Sequence, residues 1–247
     1  MWQHLRQRWQ QRREAAAVAR KPIADDLWKR TLVRYPFLRR RSAEDAAELR
    51  RMTSLFLDRK EFDARLGVRL TNDVVVTVAA QACLPVLKLG LDAYDGFVGI
   101  VLLPDRVMKR HSVVDEHGVV HEFDDELIGE AVHGGPVLLS WRDVRSAGRT
   151  APESFNVVVH EFAHVLVGAR GLPATPVLQQ DYEAFCARVD ADEVTALDPY
   201  GAESLEEFFG VASEAFFVNP RAMKAEHPVL YRVFVGYYRQ DPAAETA

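Results

Sequence analysis

The sequence predicts an α+β fold made of one domain, with a small β-sheet between N-terminal helices and a C-terminal helical part. Apolar residues recur at helical intervals up to about residue 90 and again after residue 150, and short β-branched runs bounded by turn residues lie between these parts. No linker interrupts the chain, and 247 residues are enough for one large core.

The bulk composition excludes several classes of function. The net charge of −5 gives no overall attraction to nucleic acid, and no window approaches the roughly 18 apolar residues that a membrane span needs. The basic N-terminus lacks the apolar core of a signal peptide, so a cytoplasmic location is expected. Cys83 and Cys186 are too few for a disulfide framework or a thiolate zinc site, and small buried side chains are the simpler interpretation.

The ends of the chain differ from the part between them. Residues 1–20 are a basic leader, for which a solvated, frayed helix is the simplest expectation. Its arginines, glutamines and two tryptophans at helical spacing also suit a membrane surface or a protein partner. Residues 21–242 are expected to form the domain, and residues 243–247 a disordered tail.

The first part of the domain is predicted to be helical. Residues 25–38 form a short amphipathic helix that ends near Pro36, and residues 42–62 form a second helix that Ser42 caps. Residues 71–90 are apolar almost all round, which predicts a central buried helix.

The middle of the chain is predicted to form strands. Residues 94–104 and 135–141 are short apolar runs of the kind found in buried strands. A hairpin with an Asp-Glu-His-Gly turn is predicted between them. The residues expected to face each other across the hairpin are Val113, Val114, Val119 and Val120.

The next predicted helix contains ionisable residues inside an apolar run, NVVVHEFAHVLVG. Thr150 and Glu153 form a capping box with Pro152 in the first turn, which predicts where the helix begins. The helix is expected to end at about Val167, before Gly168.

The pattern His-Glu-x-x-His in this helix is typical of zinc metallopeptidases. His160 and His164 are four residues apart, so both imidazoles lie on one face and can bind one zinc ion. Glu161 is rotated by about 100°, which suits a general base that activates a zinc-bound water. The alternative is an amphipathic helix with histidines satisfied by neighbours, but the apolar residues around them indicate a buried face that needs compensation.

A third protein ligand is expected, because catalytic zinc usually has three protein ligands and a water. Ser204 and Glu207 form a capping box for a later helix. Glu214 is the ionisable residue of the apolar segment 208–217 of that helix, where burial of an unpaired carboxylate is costly. Zinc coordination by Glu214 explains its position, and a salt bridge to an arginine is the alternative.

Several segments carry a family resemblance. They include VVVHEFAHVL, ASEAFF, TVAAQACLPVL, YDGFVGIVLLPDRV, GEAVHGGPVLLSW and HPVLYRVFVGYYRQDP, in the same order from about residue 21 to residue 242. These segments resemble the Mlc titration factor A family of zinc-dependent peptidases. The resemblance implies a soluble bacterial gluzincin with a zincin-like core similar to that of the anthrax lethal factor protease. It implies that His160, His164 and Glu214 bind one zinc ion and that Glu161 is the general base.

The resemblance also covers a tyrosine and includes two departures. Tyr200, in DPYGAESLEEFF, matches a family position from which a phenol could stabilise an oxyanion, although packing of a loop explains it equally well. Family members commonly have lysine and then aspartate where this chain has Val165 and Val167. The absent aspartate bears on metal affinity and rate, because such a residue could orient a ligand.

Two functions are therefore expected to compete. The first is a zinc peptidase that hydrolyses peptide or amino-acid amide bonds, with Val137–Ser140 as a sheet edge for an extended substrate. The second is a zinc-containing binding protein, because the family is similar to a protein that sequesters a glucose-related transcriptional repressor. The presence of Glu161, which is not a ligand in the first hypothesis, favours catalysis.

Overall fold

The computed structural model describes residues 2–105, 107–114, 120–127, 129–131, 135–147 and 154–244. The helices are α1 (Trp2–Arg20), α2 (Asp25–Arg34), α3 (Ala43–Arg59), α4 (Asn72–Cys83), α5 (Trp141–Ser146), α6 (Val157–Arg170), α7 (Pro176–Asp190), α8 (Leu205–Val218), α9 (Pro220–Glu226) and α10 (Pro228–Tyr238). The strands are β1 (Glu61–Ala64), β2 (Gly99–Leu103), β3 (Val107–Val114), β4 (Val120–Leu127), β5 (Gly129–Ala131) and β6 (Val137–Ser140). Helices dominate and the sheets are small, so the α+β class is confirmed.

The main sheet has four strands in the order β1, β2, β6, β5. β1, β2 and β6 run parallel to one another, and β5 runs antiparallel to β6. β6 is therefore paired on both sides, and the expectation that Val137–Ser140 is a sheet edge is wrong. A parallel sheet buries its inner strands on both faces, which agrees with the apolar sequences of β2 and β6.

The basic leader forms α1, whose last turns are anchored on α3. Ala17 is buried, and Glu14 pairs with Arg51 at 2.8 Å. Arg20 forms a second ion pair with Asp58, at 2.6 Å. Across the described part of the chain, the structure contains no helix that is both long and apolar enough to cross a membrane.

The helices before the sheet follow the sequence pattern except at two ends. The predicted central helix over residues 71–90 is too long, because α4 ends at Cys83. The Ser42 hydroxyl caps α3 by accepting the amide of Asp45 at 3.1 Å, but α3 ends at Arg59 instead of near residue 62. The backbone of Lys60 is extended, and its ammonium donates to the carbonyls of Tyr94 and Phe97. This contact holds the end of α3 beside the start of β2, so the chain enters β1.

The hairpin prediction is confirmed, with a different register. β3 and β4 pair so that Val114 lies opposite Val120 and Val113 lies opposite His121. The connection is thus one residue longer than the predicted turn. Val119 and the predicted turn lie outside the described residues.

The core forms around α6, which packs on α4 and on α8. α4 is buried along nearly its whole length, as its sequence predicts, and it packs on α2, α3 and α6. The apolar face of α6 inserts Phe162 among three aromatic rings, with centroid separations of 5.1–5.7 Å. These rings belong to Phe56, Tyr94 and Phe97. The other face of α6 lies against α8, and the polar residues of both helices meet there.

Candidate metal centre

The helix that carries both histidines begins at an asparagine cap. The Asn156 side-chain oxygen accepts the amide of Val159 at 3.0 Å, which satisfies one of the free amides of the first turn. Residues 154–156 are not helical, so the predicted start at Thr150 is wrong. The capping box predicted from Thr150, Pro152 and Glu153 lies outside the described residues.

The same helix runs about one turn further than predicted. Gly168 is helical, and α6 continues to Arg170. Gly171 ends the helix at φ 74°, and its amide donates to the Val167 carbonyl at 2.7 Å. A positive φ costs glycine little, so the second glycine, and not the first, is the stop signal.

α8 presents two carboxylates to His160, one on each side of its imidazole. Glu207 and Glu214 are seven residues apart, which places them on the same face of the helix, two turns from each other. Gly210 lies between them, and a Cβ atom there would be 2.6 Å from Cε1 of His160. The absence of a side chain at Gly210 therefore lets the backbone of α8 approach the ring closely.

Three possible ligand atoms converge at the Glu207 side of the ring. Nε2 of His160 lies 3.0 Å from Nε2 of His164 and 2.9 Å from Oε2 of Glu207. The distance between Nε2 of His164 and the same carboxylate oxygen is 3.5 Å. Within the described residues, these three side chains form a group that could hold a metal ion.

The dimensions and chemistry of this group fit zinc. A tetrahedral ion with bonds of about 2.0–2.1 Å separates its ligand atoms by about 3.3 Å, close to the three observed distances. Two imidazole nitrogens and one carboxylate oxygen are also a common donor set for catalytic zinc. The residues present therefore match what a zinc ion requires.

Glu214 lies on the opposite side of the His160 ring. Its Oε1 is 2.7 Å from Nδ1 of His160, and its Oε2 accepts the amide of Asn156. Both carboxylate oxygens thus contact protein donors, away from the point where the Nε2 atoms meet. The structure brings His160 and His164 together as expected, but it brings Glu207 to them in the place expected of Glu214.

The sequence pattern had indicated a different use for Glu207. The Ser204 hydroxyl does accept the amide of Glu207 at 3.1 Å, so the cap of α8 is confirmed. The Glu207 carboxylate, however, points to the histidines, and the reciprocal half of the capping box is replaced by these contacts. Because Glu207 and Glu214 share a face, spacing alone permits either residue at the site.

Burial and the neighbouring charges shift the pKa values of this cluster in opposite directions. Burial lowers the pKa of His160, but hydrogen bonds to Glu207 and Glu214 outweigh burial and raise that pKa well above its usual value. Burial raises the pKa of Glu207, but its hydrogen bonds to His160 and His164 hold the pKa far below the usual range. Burial raises the pKa of Glu161 to about 7, against the opposing effect of the two histidines. The buried carboxyl of Glu161 thus has a pKa close to neutral pH, which suits a general base.

Tyr200 lies at the edge of this cluster, in the 3₁₀ turn Pro199–Ala202. Its ring centroid is 6.1 Å from that of His160, and 41% of the residue is exposed. Asp198 accepts the amide of Tyr200 at 3.0 Å, and Gly201 allows the turn to pack closely on Phe208 of α8. Burial and the neighbouring Glu207 raise the pKa of Tyr200, so its phenol keeps its proton.

Comparisons with known proteins give the family of the chain. The family described as "Glucose-regulated metallo-peptidase M90" matches residues 6–239. The chain is 30% identical to Mlc titration factor A of Salmonella arizonae, over 89% of this chain and 93% of that protein. It is 31% identical to Mlc titration factor A of Klebsiella pneumoniae, over 88% of this chain and 87% of that protein. On these matches, the chain belongs to the glucose-regulated metallopeptidase family M90.

Proposed function

We propose that the protein is a zinc-dependent peptidase that hydrolyses peptide or amino-acid amide bonds. The observation that carries this proposal is the convergence of His160, His164 and Glu207, next to the buried carboxyl of Glu161. Membership of a metallopeptidase family supports it. A structural zinc site needs only its ligands. It would not need a further carboxyl such as Glu161 beside them, with a pKa that suits a general base.

Each residue of the site has a distinct task in this proposal. His160, His164 and Glu207 would hold the ion, and zinc bound there would polarise a carbonyl and make water nucleophilic near neutral pH. The carboxylate of Glu161 accepts a proton from the attacking water and returns it to the leaving amine. The phenol of Tyr200, which keeps its proton, donates a hydrogen bond to the developing oxyanion.

The test compares wild type with Glu161→Gln. Metal content is measured by elemental analysis, and hydrolysis is followed on chromogenic amino-acid amides and unstructured proteins, with and without a chelator. Both proteins should contain about one zinc ion per chain, since Glu161 is not a ligand, but only wild type should cleave. Loss of that activity on chelation and its return with zinc would complete the assignment. A wild-type protein that binds no zinc would contradict the proposal.

A binding role is the second candidate, and the names of the relatives favour it. The similar proteins are called Mlc titration factor A, which points to a transcriptional repressor as a protein partner. If both proteins in the test bind zinc and neither cleaves any substrate, the binding role replaces the peptidase. Retention of a purified repressor of this kind by the immobilised chain would then support it.

A further inference from the structure

We propose that Glu214 and Asn156 are positioning residues for His160, and that Gln81 of α4 is the fixed end of this arrangement. The proposal rests on the proposed metal site and assigns a task to three buried residues that do not contact the ion. Hydrogen bonds connect these three residues and His160, from α4, through the start of α6, to α8, and the link between Asn156 and Glu214 is made by the Asn156 backbone amide.

The orientation of the Asn156 amide is fixed by its cap. Its Oδ1 accepts the amide of Val159, so its Nδ2 must face the other way. Nδ2 donates to Oε1 of Gln81 at 2.9 Å, and Gln81 in turn donates from Nε2 to the Thr77 carbonyl at 3.1 Å. The side-chain amides of Asn156 and Gln81 therefore each have one possible orientation. Gln81 determines where the cap of α6 lies relative to α4.

The orientation of His160 follows from the next link. The backbone amide of Asn156 donates to Oε2 of Glu214, which leaves Oε1 as the acceptor for Nδ1 of His160. A carboxylate can only accept here, so Nδ1 donates its proton to Glu214, and Nε2 is the nitrogen left to bind a metal beside His164 and Glu207. Glu214 thus selects the tautomer of His160 that can bind a metal, in the manner of carboxylate partners of metal-binding histidines.

Burial makes this arrangement rigid. Asn156 and Gln81 are fully buried and Glu214 is 3% exposed, so water cannot replace a lost partner. The links join three different helices, α4, α6 and α8, so a shift of any one of them would move the imidazole. A purely structural network would stabilise the core equally well, but it would leave the zinc affinity of the folded protein unchanged.

The first test is Glu214→Gln. The amide has one oxygen for two donors, so either His160 or the Asn156 amide faces an NH₂ group. Zinc affinity of the folded protein, measured by competition with a chelator, should fall by about 10- to 100-fold. The visible absorption of the cobalt-substituted protein should keep the intensity of a four-coordinate site, since no ligand is removed.

The second test uses a matched pair of buried glutamines. Gln81→Met should lower zinc affinity several-fold, because Asn156 loses the acceptor that holds it. Gln240 is also buried and donates to the Leu84 carbonyl at 2.9 Å, outside this network, so Gln240→Met should leave zinc affinity unchanged. Thermal unfolding of each metal-free protein measures the loss of stability separately.

The possible outcomes are distinct. Weaker zinc binding by Glu214→Gln and Gln81→Met, but not by Gln240→Met, supports the positioning role. If the first two variants are destabilised but bind zinc as tightly as wild type does, the network is only structural and the inference is wrong. If cobalt absorption shows that Glu214→Gln has lost a ligand, Glu214 binds the metal directly. Wild type that binds no zinc would instead contradict the proposed function itself.

Discussion

Glu207 and Glu214 lie at the two ends of the α8 face that contacts His160, and these two ends differ in their access to solvent. At the Glu207 end, the carboxylate side chain is 24% exposed and the neighbouring Tyr200 is more exposed still. At the Glu214 end, the carboxylate side chain is 4% exposed and contacts only groups of the protein interior. The imidazole of His160 lies between these ends and presents one nitrogen to each.

This difference shows how two glutamates on one helical face can have opposite tasks. A catalytic metal needs an open position for substrate, which only the Glu207 end can offer. A residue that orients a ligand needs fixed partners and exclusion of water, which only the Glu214 end provides. The surroundings of each carboxylate, and not its position on the helix, therefore determine its role.

The strongest way to test this difference is Glu207→Gln. The variant loses the only carboxylate at the converging Nε2 atoms among the described residues, so zinc affinity should fall by at least about 100-fold, or about 2.7 kcal/mol. Hydrolysis of any substrate that wild type cleaves should be lost at limiting zinc. Affinity is measured by chelator competition, and activity is measured over a zinc titration.

The control for this variant is Glu206→Gln, which removes the same charge from the exposed neighbouring position of α8. Its zinc affinity should match that of wild type. If Glu207→Gln binds zinc normally while Glu214→Gln loses it, the roles assigned to the two ends are reversed.

The next comparison is between two helix caps. Asn156 caps α6 and contacts Glu214, and Ser204 caps α8 beside Glu207. Asn156→Ala removes the cap of α6, at about 1 kcal/mol, and leaves Gln81 without its donor in a buried place, at about 1 kcal/mol or more. Ser204→Ala removes only the cap of α8, at about 1 kcal/mol. The free energy of unfolding of the metal-free proteins, measured in urea, should therefore fall by about 2 kcal/mol for Asn156→Ala and by about 1 kcal/mol for Ser204→Ala. Equal losses would mean that the Asn156–Gln81 bond adds no stability.

Local signals in the sequence predicted a large part of this structure. Periodicity predicted α3 and α4, and the four-residue spacing predicted that His160 and His164 share a face. The start of α6 was missed, because a capping box is a stronger pattern in sequence than the asparagine that caps the helix in the structure. β1 was missed because its four residues follow α3 directly, and a strand that short has almost no pattern of its own.

The third metal-site residue could not be chosen from the sequence for a different reason. Glu207 fits a capping box, and Glu214 is surrounded by phenylalanines. The cost of burying an unpaired carboxylate therefore favoured Glu214 as the metal ligand. The structure satisfies Glu214 with the Asn156 amide and His160, and both partners are more than fifty residues away in the chain. Contacts of that kind depend on how helices pack, which no local pattern encodes.

Tyr200→Phe tests the open end with the smallest expected effect. Removing the hydroxyl takes away one hydrogen bond to the developing oxyanion, so kcat should fall about tenfold, or about 1.4 kcal/mol, while KM and zinc content stay the same. Tyr237→Phe is the control, because its hydroxyl contacts the Gly171 carbonyl, and it should keep wild-type kcat. A Tyr200→Phe protein with unchanged kcat would leave Tyr200 as a packing residue of the 3₁₀ turn. A selective fall in kcat would extend the catalytic site beyond the metal to the solvent-exposed end of α8.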